Sequence, residues 1–153
     1  MRIEYIFALL LLFFSPLIGD DNESPKKNKS SNLNIVVSGI KSDSGFVRVH
    51  LYNSERKDFF PKKTLQCYKR QVIEIKDGIC RLSFNDLPYD TYCFSVHHDE
   101  NANEKMDTNI LGLPTEGWGI SNNVKLFMRL PNFDECSFIL DNNDITINVE
   151  MRY

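Results

Sequence analysis

The chain has 153 residues, 42% hydrophobic and 25% charged, with 18 Lys+Arg against 21 Asp+Glu for a net charge of −3. That composition excludes a wholly disordered, collagenous or coiled-coil chain. The near-neutral balance excludes a broad electrostatic footprint for nucleic acid, and the length suits one domain with a sizeable core.

Residues 1–19, MRIEYIFALLLLFFSPLIG, open with Arg2, run apolar from Ile6 to Phe14, and break at Ser15, Pro16 and Gly19. The run is shorter than a membrane span, so it reads as a signal peptide, with an uncleaved amino-terminal anchor as the alternative. The expectation is an exported protein, periplasmic, outer-surface or secreted, with no transmembrane span in its mature form. Residues 20–32 lack apolar side chains and balance three acids against three lysines, as a solvated, flexible linker does.

From Leu33 the hydrophobic pattern has period two. Leu33, Ile35 and Val37 share one strand face, and Val47, Val49 and Leu51 another after the turn Lys41–Gly45. Further strands are expected at 64–75, at 79–84, through Tyr92, Phe94 and Val96, through Phe138 and Leu140, and through Ile145, Ile147, Val149 and Met151. His50, opposite in parity to the apolar residues of its strand, is expected to be exposed. Seven short strands without a 3.6-residue stripe predict an all-β fold, a single antiparallel β-sandwich domain over 33–153. In the turn Asp86-Leu-Pro-Tyr-Asp-Thr-Tyr92, Pro88 fixes φ and Asp90 tolerates the left-handed region. Tyr92 is then placed to bury its ring and bond its hydroxyl to backbone.

Cys67, Cys80, Cys93 and Cys136 contain no Cys-x-x-Cys pair, which argues against a zinc ribbon. In an exported chain they allow two disulfides in any of three pairings; buried free thiols are the equal alternative.

Residues 97–123 form a long connection without strand alternation, the place where function concentrates in a compact domain. Asp99, Asn101, Asn103 and Asp107 stand at positions 1, 3, 5 and 9 of an oxygen-rich loop, with the carbonyl of Lys105 at position 7, as in the first three quarters of a calcium loop. Glu104 replaces the glycine of position 6 and Ile110 the bidentate Glu of position 12. The site is therefore weak unless Glu116 folds back to contribute. The competing reading is an Asx network in which these side chains bond their own backbone. His97 and His98 point to opposite faces of a strand and cannot both ligate one ion. His98, on the inward parity, is read as a hydrogen-bonded anchor of the loop. Trp118, between Gly117 and Gly119, offers a second surface: with Glu116 and Asn122 it could hold a small polar ligand or a carbohydrate, or it buries itself to tether the loop. No nucleophile elbow, phosphate loop, metalloprotease motif or dinucleotide fingerprint occurs, so no catalytic residue is assigned.

Together, Gly45-Phe-Val-Arg-Val-His-Leu-Tyr-Asn53, Asp86–Tyr92, His98-Asp-Glu-Asn-Ala-Asn-Glu-Lys-Met-Asp-Thr-Asn109, Leu111–Asn123 and Phe133–Asp141 resemble the bacterial envelope proteins of domain-of-unknown-function family 2141, over about residues 33–153. The resemblance implies export and an immunoglobulin-like or transthyretin-like sandwich, and it implies no activity. The family's loop carries Gly at the positions of Ala102 and Glu104, and at that of Asp90.

The leading expectation is a non-enzymatic binding or structural module of the cell envelope, its long loop rigidified by calcium or by its own Asx network. Its partner is an unknown envelope component or small ligand, and no nucleic acid. The alternative is a small-molecule or carbohydrate-binding domain built on Trp118. An enzyme would need His98, Asp99 and Glu116 to converge in an open cleft.

Overall fold

A computed structural model describes residues 29–125 and 129–153. The expected signal peptide and residues 20–28 of the expected linker lie outside the described residues. Residues 30–32, expected to be linker, are the start of the first strand. Among the described residues no helix is long and apolar enough to cross a membrane.

Among the described residues eight strands occur in chain order: β1 (Ser30–Ser38), β2 (Phe46–Asn53), β3 (Lys69–Ile73), β4 (Cys80–Pro88), β5 (Asp90–Asp99), β6 (Gly117–Ile120), β7 (Phe138–Leu140) and β8 (Ile145–Glu150). One four-residue α-helix, α1 (Phe133–Cys136), precedes β7. The strands form two sheets. The smaller has the order β4-β1-β8, and the larger β3-β2-β5-β6 with β7 also paired to β5.

The alternation in β1 buries Leu33, Ile35 and Val37 completely or nearly so. These residues join Val47, Val49 and Leu51 of β2 and Tyr92, Phe94 and Val96 of β5 in one core between the sheets. A second, smaller cluster lies on the outer face of the larger sheet. There Tyr52, Cys93 and Ile120 pack with Phe60 and with Phe133 and Cys136 of α1.

The structure differs from the sequence expectation in several ways. The described residues hold eight strands, and β1 pairs with β8 in parallel, Leu33 opposite Ile145 and Val37 opposite Val149. The sheet pattern is therefore mixed, because a period-two pattern fixes which face is buried but not which way a neighbour runs. The region 64–75 opens with a 3-10 turn at Thr64–Gln66 and becomes strand only at Lys69. The missing strand was β6, whose sequence Gly-Trp-Gly-Ile lacks the β-branched alternation of a strand. At the corner before β5, Tyr92 is fully buried and its hydroxyl donates to the Pro88 carbonyl at 2.8 Å. The left-handed residue there is Asp86, with φ 52°, not Asp90. All four cysteines are free thiols, the alternative to the two bridges that their number allows.

Candidate functional site

The site grows from the last residues of β5. Strand alternation turns His97 and Asp99 to the outer face of the larger sheet and His98 to the inner face. On β2, Arg48 stands opposite His97 and Phe46 opposite Asp99, so Arg48 shares the outer face with both.

Asp99 is fully buried. Its Oδ2 accepts from Arg48 Nε at 2.5 Å and from the Glu104 amide at 3.0 Å, and its Oδ1 accepts from the Asn103 amide at 3.0 Å. Burial alone would raise the Asp99 carboxyl. The Arg48 hydrogen bond and the two backbone amides outweigh it and hold the group below the usual aspartate value. At the far end of the loop Glu116 is also buried. Its Oε1 accepts from the Glu100 amide at 3.0 Å, and its Oε2 accepts from the Asp107 amide at 3.0 Å and from His97 Nε2 at 2.8 Å. Glu116 does fold back, and the loop is stapled at both ends to buried carboxylates.

Between those staples the expected ligands bond one another. Asn101 Oδ1 accepts from the Asn103 amide at 3.1 Å, and Asn103 Oδ1 from the Lys105 amide at 2.8 Å. The Asn101 and Asn103 side-chain amides donate to the two Asp107 carboxylate oxygens at 2.7 and 3.1 Å. Lys105 thus enters the network through its N–H. Ala102 and Glu104 take left-handed φ values of 58° and 66°. Glu104 therefore supplies, without being glycine, the turn that position 6 of a calcium loop requires.

Asn109 closes the outer tip. Its side-chain oxygen accepts from the Leu111 and Leu113 amides, and its backbone amide donates to the Leu113 carbonyl. The side chains of Ile110, Leu111 and Leu113 project outward, 102%, 78% and 58% exposed. The result is an apolar tip on a hydrogen-bonded stem.

His97, Asp99 and Glu116 bring ligand atoms within 4.8 Å of one another, a donor set of one imidazole and two carboxylates that sequence reading did not assemble. Its oxygens already face four backbone N–H groups, and the Arg48 guanidinium supplies the positive charge a cation would bring. The arrangement works as a lock between β2, β5 and the loop. Arg48 and His97 were missed because their partners are fixed by strand register, which no local pattern reports. Their only signal is the parity that puts both off the core face.

His98 takes the anchoring role. Its Nε2 donates to the Ser44 carbonyl at 2.8 Å, so Nδ1 is the acceptor for the Tyr153 hydroxyl at 2.7 Å. That hydroxyl also accepts from the Lys41 amide at 3.0 Å. His98 thus points away from Asp99 and Glu116, and the three do not form a cleft. The residues expected around Trp118 do not converge either. Glu116 is engaged with His97, and Asn122, at φ 63°, donates to the Cys136 and Ser137 carbonyls. Trp118 is half-buried, exchanges two backbone hydrogen bonds with Arg152, and carries the Arg152 guanidinium 5.6 Å over its ring.

The family described as "Uncharacterized protein conserved in bacteria (DUF2141)" matches residues 35–148. The chain belongs to that family. The match runs from Ile35 within β1 through most of β8 and includes the whole of the stapled loop. No curated protein and no solved structure matches the chain.

Proposed function

We propose that this DUF2141 protein is a non-enzymatic, exported module of the cell envelope that binds or organises a partner through its 99–116 loop. The observation that carries the reading is the pair of buried carboxylates, Asp99 and Glu116, that fix the loop from both ends. A loop held this way keeps its shape without a partner, so little ordering entropy is lost on binding. The exposed aliphatic tip is the kind of surface an interaction module offers.

Calcium has a secondary place in this proposal. Asp99, Asn101, Asn103 and Asp107 are the oxygens it would use, with Glu116 at the edge of the set. Arg48 already neutralises Asp99, so affinity should be no better than about millimolar, in the range of weak extracellular calcium sites. At a calcium concentration ten times Kd the ion adds about 1.4 kcal/mol of stability. Thermal melting in calcium and in chelator tests this. A small upward shift with calcium supports the ion. Identical melting in both removes calcium and leaves the network as the sole support of the loop.

A further inference from the structure

A second site lies beside the loop, on the outer face of the larger sheet. A cavity of about 130 Å³ opens between β2, β3 and the 3-10 turn at Thr64–Gln66, with Arg48, His50, Thr64 and Arg70 among its walls. The β2–β3 register sets His50 directly opposite Arg70. The Arg70 side chain has no carboxylate partner among the described residues, whereas Arg48 is paired with Asp99 and Glu104. The His50 ring makes no hydrogen bond among the described residues and borders the cavity. The pocket thus gathers guanidinium, imidazole and hydroxyl donors with unspent capacity in a partly enclosed space.

We propose that this pocket binds a small oxyanion, a phosphate or carboxylate group, on Arg70 with support from Arg48, His50 and Thr64. Arg70 offers a planar fork suited to two oxygens of one group. The structure holds a guide to that geometry: the exposed Glu104 carboxylate lies 3.4 Å from Arg48 Nη1 at the pocket wall. An entering oxyanion would compete with Glu104, whose side chain is 72% exposed and free to swing out. The local field agrees, since burial and the neighbouring His97, Arg70 and Arg48 push His50 down to about 4. A bound anion would relieve that field.

Titration of the intact protein with inorganic phosphate and with butyrate, followed by the His50 ring resonances against chloride at matched ionic strength, tests the site. Saturable shifts should appear, weaken at least tenfold in Arg70→Gln, weaken less in Arg70→Lys, and strengthen several-fold in Glu104→Gln. A parallel arm uses phosphatidylglycerol vesicles. Arg70-dependent binding to vesicles without binding of free phosphate would support the site with a lipid headgroup as the source. Shifts matched by chloride, or unchanged in Arg70→Gln, would overturn the proposal.

Discussion

Arg48 Nε meets Asp99 Oδ2 at 2.5 Å across the β2–β5 pairing, joining residues 51 positions apart in the chain. This contact ties the long loop to the sheet. Asp99 is fully buried, so removing its cation strands a charge that only two backbone amides then support. Arg48→Met should therefore cost about 3 kcal/mol in urea denaturation. Adding Asp99→Asn should recover part of that loss, because the neutral amide no longer needs the guanidinium. A single-mutant cost below about 0.5 kcal/mol, the size of an exposed ion pair, would show that the contact is not structural.

Gly45 bears on the same place from the other side. It lies at φ 71°, and a Cβ there would fall 2.0 Å from the Asp99 carbonyl oxygen and 2.8 Å from Glu100 backbone atoms. Neither contact can be relieved by a side-chain rotation. Gly45→Ala should destabilise the domain by at least about 2 kcal/mol, combining left-handed strain with the backbone clash. Equilibrium unfolding checks it, with wild-type stability as the contrary result.

Acid should weaken the fold in two stages. His50 titrates near 4 when folded, against an ordinary 6.5, because burial and then His97, Arg70 and Arg48 disfavour its cation; Glu104 is the acidic group at the same pocket. The unfolded chain therefore binds more protons between those values. Stability should fall as pH drops from 6.5 to 4, by on the order of 2 kcal/mol, and be insensitive to this group above that window. Asp99, held below its ordinary value, adds stability that is lost only at still lower pH. Denaturation midpoints for His50→Gln should show a flatter profile between pH 6.5 and 4. An unchanged slope would contradict the assignment.

How much of this could be read from the chain depended on whether the cause was local. Leu33, Ile35 and Val37 announced their strand because a half-buried strand writes its own period. The Tyr92 hydroxyl bond to Pro88 spans four residues and could be read from a single turn. The loop's Asx residues were visible by spacing. The Arg48–Asp99 and His97–Glu116 contacts depend on register between distant strands, and β6 hid behind its glycines. His50 was expected in solvent, yet Arg48 and Arg70 from two adjacent strands wall it in.

The thiols give a separate check. Cys80, Cys93 and Cys136 are buried and Cys67 is half-buried, and burial raises every one of the four, Cys80 to about 11 and Cys136 to about 12. A disulfide-exchange reagent at neutral pH should modify at most Cys67 in the native protein and all four after unfolding. Fewer than four thiols in denaturant would reveal a bridge and contradict the free-thiol arrangement.

Asp99 and Glu116 themselves hold the 99–116 loop. Amide hydrogen exchange at Asn103, Glu104 and Asp107, measured in chelator and again with calcium, tests this most directly. Protection of all three amides in chelator, little changed by calcium, is the expected result. Exchange at unstructured rates in chelator, with protection only when calcium is added, would contradict it.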